Sequence, residues 1–172
     1  MDKTVSEING EAQRTSVIST LSQAFQDDPS LIWMLPNAAS RQRALPGMFD
    51  WLYDDHREHG LILASPGSEV VTFWRRPGKV HHDDPLWPKL IWRLMGVFRF
   101  ALGRAAKVGD VIHKHVPAGE DWLYLRYAGV RPDSQGKGWG GHAIRAGIAH
   151  ANIHIDTFGQ TECSVGVAEA IG

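Results

Sequence analysis

Leu123-Tyr-Leu-Arg-Tyr-Ala-Gly-Val-Arg-Pro-Asp-Ser-Gln-Gly-Lys-Gly-Trp-Gly-Gly-His-Ala-Ile-Arg145 reads as a strand, a glycine-rich polar turn and the start of a helix. Leu123 to Val130 is rich in aromatic and β-favouring residues and holds no proline. Pro132 cannot donate to a ladder, and Asp133 and Ser134 favour turns, so the strand ends there. In Gln135-Gly136-Lys137-Gly138-Trp139-Gly140 the glycines leave backbone amides unshielded. A helix from about Gly140 to Asn152 begins on the same turn, so its orphan amides and its positive dipole end open together. That arrangement suits a pyrophosphate.

Other phosphate loops fit less well. A P-loop needs Ser or Thr after Gly-Lys, whereas Gly138 follows Gly136-Lys137. Gly136, Gly138 and Gly141 match the dinucleotide spacing Gly-x-Gly-x-x-Gly, and Asp156 lies at a suitable distance. The parallel-sheet context of that fingerprint is missing, because the turn comes near the end of the chain.

The 172 residues fit one domain spanning 1–172, with an apolar fraction of 43% and a charged fraction of 22% typical of a globular protein. A formal net charge of −1 argues against a nucleic-acid partner. The single cysteine, Cys163, allows no internal disulfide and fits a reducing, cytoplasmic compartment. Met1 to Glu7 lacks a signal-peptide core, and no apolar run reaches the roughly 18 residues of a membrane span.

Along the chain, Thr4 to Ile8 is a candidate first strand. Glu11 to Phe25 is an amphipathic helix through Val17, Ile18, Leu21, Ala24 and Phe25. Asp27-Asp28-Pro29 ends it, since the residue before proline leaves the α region. A compact apolar run, Leu31 to Leu35, precedes Asn37, which caps a long helix from Ala38 to about His59 that Pro46-Gly47 could kink. Leu61 to Ala64 and Glu69 to Trp74 form a hairpin around Ser65-Pro-Gly-Ser. His81-His82-Asp83-Asp84 has metal-binding residue types without metal-site spacing and reads as a solvated loop, so no metal is expected. Helical segments Pro88 to Arg104 and Ala105 to His115 follow; the first, although basic and amphipathic, reads as packed on the domain and not on a membrane. After the glycine turn and its helix, Ile153 to Phe158 reads as a strand and Thr161 to Ile171 as a last helix.

Gln135-x-x-Gly138-x-Gly140 after a strand ending in Gly129-Val130 closely resembles the central motif of the GCN5-related N-acetyltransferase (GNAT) superfamily, nearest to its puromycin-acetyltransferase-like type. The resemblance extends to Ala24-Phe25-x-Asp27-Asp28-Pro29, to Phe73-Trp74-Arg75-Arg76-Pro77, and to the unbroken run from Gly129 to Gly140. It implies an α/β (α+β) fold: a mixed, mainly antiparallel sheet flanked by helices. It also implies acetyl transfer from acetyl-CoA to a primary amine of a small molecule, by direct attack in a ternary complex. Gly129, Val130, Arg131, Gln135, Gly136, Lys137, Gly138, Trp139, Gly140, Gly141 and Ser164 would hold the coenzyme.

An amine protonated at neutral pH needs a base, and Asp156, Glu120, Asp121 and Tyr127 are the candidates, with Asp156 first. The departure from the pattern lies in the tail. Ser164 stands at the family's asparagine place and Ala168 at its tyrosine, the usual general acid, and Gly172 falls one residue before the closing hairpin. A slower enzyme, or one protonating the thiolate through water or from Tyr124 or Tyr127, is then expected. A non-catalytic acyl-CoA-binding protein is the rival. Without that hairpin the Ile153–Phe158 strand would offer an edge for homodimerisation. The Trp33 and Trp87–Phe100 segments would line an aromatic acceptor side.

Overall fold

The computed structural model of the protein describes residues 3–79, 101–115, 123–158 and 165–166. Its frame is a five-stranded sheet in the order β1 (Ser6–Glu7), β2 (Gly60–Ala64), β3 (Val70–Arg75), β4 (Leu123–Val130), β5 (Val165–Gly166). The first four strands run antiparallel to their neighbours and β5 lies parallel to β4. This is the mixed, mainly antiparallel sheet expected from the sequence.

One face of the sheet is covered by α1 (Arg14–Ala24) and α3 (Ala38–His59), the other by α5 (Trp139–Phe158). The short α2 (Pro29–Met34) packs on α3 and on α4 (Leu102–His115). Two cores result. The larger one holds Val17, Leu21, Leu45, Phe49, Leu52, Tyr53, Ile62 and Phe73 between the sheet and α1 and α3. The smaller one holds Leu61, Leu63, Trp74, Leu123 and Ala151 beneath α5. Every residue of β2 and β3 is buried, because helices cover both faces of these strands.

Local chemistry explains most boundaries. Asn37 caps α3, its Oδ1 accepting from the Ser40 amide at 2.9 Å, and Pro46 is accommodated inside one continuous helix. Asp28 caps α2 in the same way, its carboxylate accepting from the Leu31 amide at 3.0 Å with Pro29 in the first turn. The apolar run after Pro29 is therefore a short helix.

Two expectations are corrected. Ile153 to Phe158 is not a strand but the last part of α5, so Asp156 sits on a helix and the edge expected for pairing is helical. Residues 165–166, expected within a final helix, form β5. The segments holding His81 to Asp84, Trp87 to Phe100, Glu120, Asp121, Ser164 and Ala168 lie outside the described residues.

Strand β4 is irregular. Its ladder with β3 pairs Phe73 with Tyr127 but Trp74 with Leu125, which leaves Arg126 as an extra residue in a β-bulge. The bulge changes which face alternate residues take. Leu123 and Leu125 belong to the core under α5. Tyr127 belongs to the core under α1 and α3, and Gly129 lies against α1, where a Cβ would come within 2.8 Å of Leu21 Cδ2.

Candidate functional site

The glycine turn is built by its neighbours in three dimensions. After β4, Pro132–Ser134 makes one 3-10 turn, closed by the Ser134 amide donating to the Arg131 carbonyl at 2.8 Å. Arg131 fixes the root of the turn. Its amide donates to the Glu69 carbonyl at 2.9 Å, its Nη1 to the Gly67 carbonyl at 3.1 Å and its Nε to Asp133 at 2.7 Å. Its guanidinium holds the Asp133 carboxyl below its ordinary range. Gln135 Nε2 donates back to the Val130 carbonyl at 3.2 Å.

Gly136 and Gly138 then adopt φ of +73° and +80°, the left-handed region where a side chain is strained. A Cβ at Gly136 would meet nothing within 4 Å, so its glycine serves the backbone turn and leaves open space in front. Helix α5 starts at Trp139, and His142 makes the first amide bond of the helix, to the Gly138 carbonyl at 3.4 Å. The amides ahead of it are the orphan donors of a helix start, beside glycines that let a ligand approach.

Cations surround this mouth. Lys3 donates to the Lys137 carbonyl and its ammonium lies 5.9 Å from the centre of the Trp139 ring. Lys137 Nζ donates to the Asp133 carbonyl at 2.7 Å, and the Arg145 guanidinium lies over Gly141. Gly129, Val130, Arg131, Gln135, Gly136, Lys137, Gly138, Trp139, Gly140 and Gly141 are thus brought to one end of β4. Nothing in the sequence around Lys3 marks it as part of this site, because it reaches Lys137 from 134 positions away.

The edge of β4 next to this turn is open. Strand β5 pairs with β4 only at Leu123 and Tyr124, so among the described residues Leu125 to Val130 have no strand partner on that side. Tyr124 stands where the two strands stop pairing. Its phenol is half-buried, and burial pushes it above its ordinary value of 10.0, so it stays protonated at neutral pH.

Tyr127 takes a different place. Its ring packs edge-on against Phe25, Phe49 and Phe73, with centroids at 5.8, 5.7 and 6.4 Å. It faces α1 and α3, while Asp156 is carried by the helix on the opposite face, so the fold does not bring these two candidates together.

Beneath the bulge lies a polar cluster. Asp55, 2% exposed, is bonded by Arg75 at 2.6 Å and approached by Arg126 at 3.3 Å. His56, with no exposed surface, donates from Nδ1 to the Leu52 carbonyl at 2.7 Å and stacks near Phe73 at 4.8 Å. Among the described residues its Nε2 has no hydrogen-bond partner. Burial, then Arg126 and Arg75, hold His56 well below its ordinary 6.5, so it is neutral. The charged residues Arg75 and Arg126, set within otherwise uncharged strands, were the available sequence signal.

A mixed sheet with helices on both faces, and a glycine turn leading from β4 into a helix, is a fold this chain shares with a solved acetyltransferase structure. The chain superposes with TM-score 0.61 on a Corynebacterium glutamicum crystal structure described as "histone acetyltransferase HPA2 and related acetyltransferase", at 23% identity over 86% of this chain and 71% of that one. A Brucella melitensis structure described as a GNAT family acetyltransferase in complex with acetyl-CoA aligns with TM-score 0.46 and 17% identity, over 98% of this chain and 80% of that one. No protein-family model matches the sequence, and no curated protein matches it. At these identities the likeness is one of fold.

Proposed function

We propose that the protein is a GNAT-type N-acetyltransferase that moves an acetyl group from acetyl-CoA to a primary amine of a small molecule. The observation that carries this reading is the turn from Gln135 to Gly141, with left-handed Gly136 and Gly138 opening on the N-terminus of α5 beside the unpaired edge of β4. Acetyl-CoA would supply the acyl group as a thioester. The chain's own part is to hold the pyrophosphate on the turn amides and the surrounding cations, and to lead the coenzyme's arm from Gly129 and Val130 back along the open β4 edge, so that a strand amide near Leu125 meets the thioester carbonyl beside Tyr124. Positioning of amine against thioester then provides much of the rate.

Tyr124 is the proton donor we assign to the leaving thiolate. Its phenol keeps its proton, and it stands where β4 and β5 part. With Ala168 at the family's tyrosine place, such a donor on β4 would take over that role. Tyr124→Phe should lower kcat by about tenfold or more while leaving acetyl-CoA affinity unchanged, as steady-state kinetics and calorimetry would show.

The test of the reading is calorimetry with acetyl-CoA on the wild type and on Gly138→Glu. The variant places a carboxylate on a left-handed residue at the anion site and should lose binding. Equal binding by both would sink the loop assignment. Thiol release with an amine panel then separates an enzyme from a protein that only binds coenzyme A.

A further inference from the structure

The bulge in β4 carries a cation whose bonding among the described residues is incomplete. Arg126 contacts Asp55 only through Nη1, at 3.3 Å, which is long for a charge-assisted bond. The oxygen it approaches, Asp55 Oδ2, is the one Arg75 already holds at 2.6 Å. Its guanidinium also lies over the Tyr127 ring, 5.7 Å from the centroid. The side chain is 29% exposed, so the guanidinium is neither locked in a pair nor sunk in the core. Among the described residues, nothing accepts from Nε or Nη2. These two donors form the side-on fork of a guanidinium, a planar match for a carboxylate.

The position of this fork is equally specific. The bulge turns Arg126 toward the same face as Tyr127, on the stretch of β4 that β5 leaves unpaired. Arg126 also acts electrostatically on the Tyr124 phenol. A group bound on the fork would therefore lie near the proton donor assigned above, at the opposite end of β4 from the glycine turn. His56 limits where a negative charge can settle, because its bare Nε2 is an acceptor and offers an anion no proton.

Resting on the acetyltransferase reading, we propose that Arg126 determines acceptor specificity by binding a carboxylate on the acceptor, so that the substrate class is amines bearing a free carboxylate. The test reads Arg126 directly. The protein saturated with coenzyme A is treated with phenylglyoxal, and modification of each arginine is followed by peptide mass spectrometry. Equimolar sets of N-acetyl-L-amino acids, or of the matching N-acetyl-L-amino acid amides, are the competing probes.

The carboxylates should protect Arg126 at concentrations about tenfold or more below those at which the amides protect it, with Arg14 as an unaffected internal control. In a second measurement, acetyl transfer to L-amino acids should exceed transfer to their amides, and Arg126→Gln should erase that preference without changing coenzyme A affinity. Equal protection by the two probe sets, or an unchanged preference in Arg126→Gln, would overturn the proposal. Failure of the wild type to bind coenzyme A in calorimetry would instead sink the acetyltransferase reading; the protection assay, repeated without coenzyme, would then still decide whether Arg126 holds a carboxylate.

Discussion

At the scale of single residues, His56 makes the sharpest statement about stability. It is neutral in the folded protein because burial, Arg126 and Arg75 all oppose its charge. In the unfolded chain it titrates near the ordinary 6.5, so below that pH the unfolded state binds the extra proton. Stability is therefore highest above about pH 6.5 and falls as the pH drops through that value. Urea melts of the wild type between pH 7.5 and pH 5.5 should show this decline, and His56→Gln should flatten it even if the variant is less stable throughout. A wild-type profile that is level across the window would contradict the neutral assignment. Arg14 illustrates the opposite situation: it bridges Asp50 and Asp54, each at 2.7 Å, but at a partly exposed surface where such pairs contribute little.

At the scale of elements, packing of α5 on the sheet depends on one missing side chain. A Cβ at Gly147 would come within 2.2 Å of Trp74 Cζ2, in the middle of the smaller core. Gly147→Ala should gain helix propensity yet destabilise the protein by roughly 1–3 kcal/mol, because overpacking against a fixed indole outweighs that gain. Chemical denaturation would check the sign. Elements determined by local chemistry were legible in the sequence: β4 at Leu123–Val130, the Asn37 cap and the glycine turn all stand where the residues place them. The Asp28-Pro29 pair, a stop signal for α1 in the sequence, is also the start of α2. The end of α5 misled in another way. Ile153 and Ile155 alternate with His154 and Asp156, which imitates a strand, whereas the helix begun at Trp139 runs on through them. What could not be read locally depends on distant partners: β5 exists only by pairing with β4, and Lys3 reaches the glycine turn across 134 positions of sequence.

At the scale of the whole molecule, the sheet separates two cores, and β4 is the element that serves both. Its first half fills the core under α5, its second half the core under α1 and α3, and the glycine turn follows directly. The switch between halves is one residue wide. In a regular strand, removing a residue turns everything beyond it to the wrong face. Here the opposite holds, because Arg126 is the residue outside the ladder. Excising its codon would place Leu125 next to Tyr127 with each still on its present face and each still opposite Trp74 and Phe73. The shortened protein should fold with its melting temperature lowered by no more than about 5 °C and keep its coenzyme A affinity, while losing any preference for carboxylates. A collapse of the fold on this deletion would show that the bulge is structural. Its survival would mean that the chain carries one removable residue at its centre, so that gain or loss of a single codon could change what the protein accepts without changing how it folds.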